Sequence, residues 1–356
     1  MSGRVDAIRE KLAEADAEAF ICASYPNYRF LSGFTGSLGV VIISMNRALI
    51  MSDFRYRTQI AQEVAGFDFV EIKGPPEATV IEQIGALKIS KLAFESAHVT
   101  YRQYAQLKAV DALELIPTEN WVEDTRAIKD RAEILLLERA ASIAEAALEL
   151  VSHEIRPGMT EQEVANRINA LLRSNGARKE AFDLIVASGP RSAMPHGASS
   201  DRAIQVGEPI VIDIGAQFEG YHSDLTRTIW LDRIDSPQIA EVYEIVEAAQ
   251  ASAIRAVKPD VKCGAIDAVA RDYIAQAGYG ELFGHGLGHG VGLEVHEAPT
   301  ISRLGKGTIK PGMVFTVEPG IYIPEVGGVR IEDMVMVTSD GCRRLTRSEH
   351  HPQIPL

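Results

Sequence analysis

Two pairs of acidic residues, each set in an otherwise apolar strand–turn–strand stretch, constrain this chain more than any other feature. Asp213 and Asp224 lie in VIDIGAQFEGYHSDLTRTI, and Glu318 and Glu332 in VFTVEPGIYIPEVGGVRIEDMVMV. The Val, Ile and Phe around them predict burial, and a buried carboxylate without a partner is costly. In the first stretch Gln-Phe-Glu-Gly-Tyr reads as the turn region, so antiparallel pairing is expected to bring Asp213 and Asp224 side by side. Like charges opposed in a sheet repel unless a cation sits between them. Pairing with arginines such as Arg227 would account for one such pair. The same arrangement at Glu318 and Glu332 argues for metal instead.

Between the pairs runs FGHGLGHGVGLEVHEAP, with His285, His289 and His296. The glycines disfavour a helix through His285 and His289, and HExxH is absent. A glycine loop instead lets backbone approach a ligand closely. One of these histidines is expected to bind metal, and the others to serve substrate binding and proton transfer. Four hard oxygen donors and an imidazole suit one or two divalent cations of the manganese, cobalt or zinc kind. The pattern is that of a two-metal hydrolase. Arg330, two residues before Glu332, shares its strand face and could orient a ligand carboxylate. His196 in RSAMPHGASS is a weak signal alone, and His222 is expected to be structural or peripheral. His98, His153, His350 and His351 have no supporting context. No GxSxG or comparable nucleophile setting is present.

The chain has 356 residues, enough for two domains with separate cores. Six apolar runs in the first third, AFICAS, GVVIIS, RALIMSD, FVEIKG, KLAFESA and LELIPTE, read as strands, with helices over 54–64 and 76–87. No phosphate-binding glycine loop follows any of them, so this α/β domain reads as structural. A long helix marked by Ile134, Leu137, Ala141, Ile143 and Leu148 places a boundary near Asp130, giving domains 1–130 and 131–356. Thr160 to Glu163 forms a capping box for a second helix, and Ser236-Pro237 and Gly264 mark two more. The second domain is therefore helices then strands, twice over. A net charge of −13 argues against nucleic acid or an anionic membrane as partner. Three scattered cysteines and the lack of a signal peptide or long apolar run point to a cytoplasmic protein.

DIGAQFEGYHSDLTRT, GHGLGHGVGLEVHE and VEPGIYIPEVGGVRIED resemble the metal-binding segments of the Xaa-Pro peptidases of the M24 type, prolidase and aminopeptidase P. NYRFLSGFTGS and SDFRYRTQ resemble the smaller N-terminal domain of those enzymes and of creatinase. The resemblance implies a creatinase/prolidase-like α/β domain followed by a pita-bread α+β catalytic domain, and a homodimer. It implies that Asp213 chelates one metal, that His289 and Glu318 hold the other, and that Asp224 and Glu332 bridge both. His196, His285 and His296 match the substrate-binding and proton-handling histidines, and Glu318 the proton acceptor. The oxygen-rich set favours two Mn²⁺ ions, with Co²⁺ or Zn²⁺ as alternatives. The implied reaction is cleavage of an N-terminal Xaa-Pro bond by hydroxide held between the metals, in dipeptides or short peptides. Family dipeptidases often carry an arginine soon after the last histidine; here the first is Arg303, in HEAPTISRLGKG. The alternatives are a catalytically silent peptide-binding protein on the same fold and a methionine-aminopeptidase-like exopeptidase.

Overall fold

The computed structural model describes residues 2–356. Contacts divide the chain into two compact units, one ending at Arg126 and the other spanning Ala127–Leu356. No helix among the described residues is long and apolar enough to cross a membrane.

All six expected strands of the first unit form one mixed sheet: β1 (Ala19–Cys22), β2 (Val40–Ser44), β3 (Ala48–Ser52), β4 (Asp68–Glu71), β5 (Lys91–Glu95) and β6 (Glu114–Thr118), in the order β4-β3-β2-β1-β5-β6. β1, β2 and β3 pair antiparallel, whereas β4, β5 and β6 join in parallel, each through a helical crossover. Helices α1 (Ser2–Glu14), α2 (Tyr25–Ser32), α3 (Arg57–Glu63), α4 (Pro76–Ala86), α5 (Tyr101–Lys108) and α6 (Trp121–Arg126) complete the unit. The helix expected over 54–64 opens with a 3₁₀ turn, Phe54–Tyr56, capped by the Asp53 side chain. Three short helices, α2, α5 and α6, were not expected.

The second unit opens with α7 (Arg131–Ser152), whose N-terminus is closed by a reciprocal capping box between Asp130 and Glu133. The five apolar positions that predict this helix are all buried. Next come α8 (Glu161–Ser174), strands β7 (Lys179–Glu180), β8 (Ile185–Ser188), β9 (Ile210–Ile214), β10 (Ala216–Phe218), β11 (Tyr221–His222) and β12 (Leu225–Leu231). The order then repeats: α9 (Pro237–Ala256), α10 (Cys263–Gln276), β13 (Gly288–Gly290), β14 (Glu297–Ile301), β15 (Val314–Val317), β16 (Gly320–Ile323), β17 (Gly327–Arg330) and β18 (Asp333–Val337). Each half packs its helix pair on its own sheet. Ile143, Val164 and Ile168 meet Val186, Ile212 and Leu225 in one core. Val246, Ile266 and Ile274 meet Phe315, Val317 and Val335 in the other.

Each half also contains one long, interrupted hairpin. Asp213 pairs with Thr226 in the outer part of the first, and Gln217 with His222 in its inner part, without a change of register. The turn is Glu219-Gly220, both at positive φ (46° and 79°), the two-residue geometry that suits the twist of paired strands. In the second hairpin Val317 pairs with Asp333 and Gly320 with Arg330, again in one register. The carboxylates stand at or beside the breaks between inner and outer strands, where the backbone opens and the side chains face inward.

Candidate metal centre

The two hairpins lie flank to flank. Glu332 N–H donates to the Thr226 carbonyl (3.1 Å), Arg330 N–H to the Thr228 hydroxyl (3.0 Å), and that hydroxyl to the Arg330 carbonyl (2.9 Å). This lateral contact brings Asp213, Asp224, Glu318 and Glu332 onto the walls of one cavity of about 640 Å³, together with His285, His289 and Arg330. His196 and His296 line the same cavity from its exposed side. Every residue singled out as a candidate is thus in one place.

The expected pairing of the first two aspartates needs a correction. Asp213 stands opposite Thr226, so Asp224 lies two residues further along and on the diagonal, not directly across. The partners differ too. Arg227 does not neutralise either aspartate; its guanidinium binds Asp333 (2.8 Å) and the Glu332 and Ser348 carbonyls. Arg330 instead donates to Asp213 Oδ2 (2.6 Å), to the Tyr322 hydroxyl (3.0 Å) and through Nε to Thr226 Oγ1 (3.2 Å). Thr226 in turn donates to Glu332 Oε2 (2.7 Å).

The electrostatics of the cavity are those of a cation site. Asp224, His289 and Glu332 each offer a donor atom, and these atoms all lie within 4.8 Å of one another. Burial pushes the Asp224 and Glu332 carboxyls well above the usual carboxylate range, and the neighbouring carboxylates push them further. Burial also raises Asp213, against the opposing pull of Arg330. Its Oδ1 is buried without any hydrogen-bond partner, an omission that ordinarily costs about 1–3 kcal/mol. Burial pushes Glu318 up as well, but the hydrogen bond and charge of His289 (Nε2–Oε1 3.3 Å) outweigh it and leave the carboxyl low. His289 is correspondingly raised despite its burial, whereas burial lowers His285 and His296. The donor set, the orphaned oxygen and the mutual repulsion all fit divalent metal.

The backbone explains how His289 reaches this position. A Cβ on Gly288 would lie 1.9 Å from the Thr316 carbonyl, so only glycine allows β13 to approach β15 here. Thr316 Oγ1 accepts the His289 N–H (3.0 Å) and donates to Glu318 (3.1 Å), tying ligand candidates on two strands to one hydroxyl. His285 Nε2 contacts the Tyr322 hydroxyl (2.9 Å), and the His289 and His296 rings stand 4.2 Å apart. His222 hydrogen-bonds Gln217 and the Gly292 carbonyl away from the cavity, as a structural residue would. Sequence reasoning missed Thr226 and Tyr322. Tyr322 was within reach, since it stands an even number of residues from Glu318 along the hairpin and so shares its face.

A second cluster with metal-like residues, Glu95, His98 and Glu123, lies in the first unit. Glu95 accepts the backbone N–H of Ala23 (2.9 Å) and Ser24 (3.2 Å) at the start of α2, and the amide of Asn27 (2.6 Å). That amide also donates to Glu123 (2.6 Å), and Arg126 binds the Asn27 oxygen (2.6 Å). Protein donors already satisfy these carboxylates.

The family models agree with this architecture. The description "Metallopeptidase family M24" matches residues 136–339, and "Creatinase/Prolidase N-terminal domain" matches residues 4–128. A structure described as the Xaa-Pro dipeptidase from Bacillus anthracis superposes with a TM-score of 0.96 at 42% identity, covering 100% of this chain and 99% of that one. An X-Pro aminopeptidase from Thermotoga maritima gives 0.91 at 37% identity, over 99% and 100%. The curated Xaa-Pro dipeptidase of Pyrococcus horikoshii is 39% identical over 353 residues, 98% of each chain. The fold is thus a creatinase-type N-terminal domain with a pita-bread catalytic domain, and the family is one that works with divalent metal. The chain belongs to metallopeptidase family M24.

Proposed function

We propose that this protein is a metal-dependent peptidase that cleaves the bond before a penultimate proline, in dipeptides and short peptides. The observation that carries this reading is the convergence of four carboxylates and His289 on one cavity with too few protein donors, in a chain similar to proteins described as Xaa-Pro dipeptidases and an X-Pro aminopeptidase. Of the four, Asp224 and Glu332 are buried and Asp213 and Glu318 half-buried. In this proposal Asp213, Asp224, His289, Glu318 and Glu332 would hold two ions, Mn²⁺ by preference for oxygen donors, and Asp224 and Glu332 would serve both. When bound, such ions polarise the scissile carbonyl and acidify a water for attack near neutral pH. We further assign catalysis to 131–356 and a supporting role to 1–130, in a cytoplasmic homodimer.

The chain's own residues supply the remaining steps. Glu318, held low by His289, is ionised and able to accept the proton of the attacking water. The leaving proline nitrogen has no N–H of its own and must gain a proton, which Glu318 can return. His296, kept neutral by burial, can present an N–H donor to the developing oxyanion. His285, also kept neutral by burial, instead gives its one N–H from Nδ1 to the Gly286 carbonyl (2.8 Å) and accepts from the Tyr322 hydroxyl through Nε2 (2.9 Å). Arg330 keeps one oxygen of Asp213 occupied, and so directs the other toward the centre. Phe182, Leu184, Ile185 and Val295 give the cavity an apolar wall suited to a pyrrolidine ring.

Among the described residues that line the cavity, Arg330 is the one Arg or Lys, and it is committed to Asp213. Arg303 is not part of the lining. A cavity without a spare cation does not require a free carboxylate directly after proline, which supports acceptance of peptides longer than two residues. The test is turnover of Ala-Pro, Ala-Pro-Ala and Ala-Ala-Ala with Mn²⁺ and with chelator. Metal-dependent release of alanine from Ala-Pro-Ala, with Ala-Ala-Ala untouched, is expected. Cleavage of Ala-Pro alone would restrict the enzyme to dipeptides. Attack on Ala-Ala-Ala would remove proline selectivity, and silence on all three would overturn the reading.

A further inference from the structure

We propose that Asp267 and Arg271, a buried pair on α10 outside the catalytic cavity, are positioning residues for His285. The inference rests on the peptidase reading above for its kinetic consequences, but its geometry is independent of it. His285 sits between Gly284 and Gly286 in a stretch that belongs to no helix or strand. Glycine neighbours allow this backbone many conformations and offer no side chain to anchor it. Something else must hold the imidazole where it meets Tyr322.

Helix α10 does so from behind. Arg271 donates to the carbonyls of Phe283 (2.9 Å) and His285 (2.7 Å), and Asp267 Oδ1 accepts the N–H of Leu287 (3.0 Å). The loop is therefore gripped at three alternate residues by two side chains one helical turn apart. Asp267 also fixes the guanidinium itself, through Nε to Oδ2 and Nη2 to Oδ1, both at 2.8 Å. The Arg271 guanidinium lies over the Phe283 ring (4.1 Å), that ring meets the His285 ring at right angles (centroids 5.0 Å apart, 89°), and His285 Nε2 meets the Tyr322 hydroxyl. His285 is held through both its backbone and its ring.

A purely structural pair would not need this pattern. Buried ion pairs are often replaceable by apolar residues of similar volume without loss of stability. Here the acceptors of the arginine and the donor to the aspartate are backbone groups of the loop that carries His285. Lysine cannot reproduce the arrangement, because the guanidinium uses three nitrogens in a rigid fork and an ammonium is a single point. Neither Asp267 nor Arg271 lines the cavity, so any effect on turnover must pass through the loop.

The experiment is a double-mutant cycle with an exchange readout. Arg271→Lys and Asp267→Asn are made singly and in a His285→Ala background, and kcat, KM and Mn²⁺ content are measured on Ala-Pro-Ala. Amide exchange of Leu287 is followed in parallel, with and without Mn²⁺. Each single variant is expected to lower kcat by roughly 10- to 100-fold at nearly constant KM and metal content, as small misplacements of a reacting group do. In the His285→Ala background the same substitution adds little further loss. Leu287 is expected to be protected in the parent enzyme and to exchange faster in the variants. Equal losses in both backgrounds, or a Leu287 amide already unprotected in the parent, would overturn the proposal. Should Arg271→Lys fail to fold, Asp267→Asn carries the same cycle. A parent enzyme without turnover would count against the peptidase reading, while exchange still decides the clamp.

Discussion

Two clusters in this protein look alike by residue type. Glu95, His98 and Glu123 in the first unit, and Asp224, His289 and Glu332 in the second, each bring their donor atoms within 4.8 Å of one another. They differ in what surrounds them. Glu95 is saturated by two backbone N–H groups, the Asn27 amide and the Cys22 thiol, and burial of Glu123 is outweighed by Asn27 and His98, so that its carboxyl falls below the ordinary range. Asp224 and Glu332 are pushed up, because burial and like charges act on them with few donors in opposition. A carboxylate cluster is suited to a cation when the fold withholds donors from it, and is a structural knot when the fold supplies them.

The sharpest way to break this comparison is to remove one carboxylate from the starved cluster. Asp224→Asn or Glu332→Gln is expected to bring Xaa-Pro turnover to the detection limit in a chain that still folds. In metal-free protein either substitution should leave the melting temperature unchanged or raise it, since a like-charge repulsion disappears. Full activity in a metal-verified variant would refute the shared-ligand assignment.

Metal addition comes next. Mn²⁺ at a hundredfold excess over its Kd contributes about 2.7 kcal/mol to the folded state, which corresponds to a rise in Tm of roughly 5–10 °C for a unit of this size. Calorimetry should show that rise in the parent and in Glu95→Gln alike. A rise that vanished in Glu95→Gln would place a metal in the first unit instead.

Glu95→Gln itself should destabilise by about 1–3 kcal/mol, because it weakens the acceptors of Ala23, Ser24 and Asn27 in a buried setting. Denaturant unfolding would measure this, with Mn²⁺ stoichiometry unchanged. The smallest expected effect concerns pH. Glu123 has a folded pKa below its unfolded one, so its stabilisation is present above the unfolded value and is lost as pH falls through the folded value. The stability gap between the parent and Glu123→Gln should therefore be constant near neutrality and close in the acid range below the ordinary glutamate pKa. A gap that widened on acidification would contradict the network.

Much of the architecture was legible from local patterns. The six strands of the first unit announced themselves as apolar runs, Thr160 as a helix cap and Ser236-Pro237 as a helix start, and both helices are formed in the structure. Asp130, read only as a domain boundary, caps α7. Helix α5 was missed although Thr100 and Gln103 form a capping box of the same kind, and α2 although Pro26 opens it and Gly33, at φ 81°, closes it. Those two helices have only eight residues each, too few for apolar spacing to stand out. At the site, the diagonal offset of Asp213 and Asp224 follows from a two-residue turn at Glu219-Gly220, whose register sets Asp224 two residues away from direct opposition and still on the same face.

What local chemistry determined, then, was the need: apolar strands carrying carboxylates twice, a glycine loop carrying histidines, and a sequence order repeated across two halves. Periodicity, caps and turns act over a few residues and can be read in one dimension. What the tertiary structure alone decided was which charges are answered. Thr226 reaches Glu332 across 106 positions, Arg330 reaches Asp213 across 117, and Arg227 passes both aspartates by to bind Asp333. The same holds for Asp267 and Arg271, ordinary helix residues until the loop of His285 folds onto them. Whether a buried carboxylate is satisfied depends on donors delivered by packing, and packing joins residues that no local pattern connects.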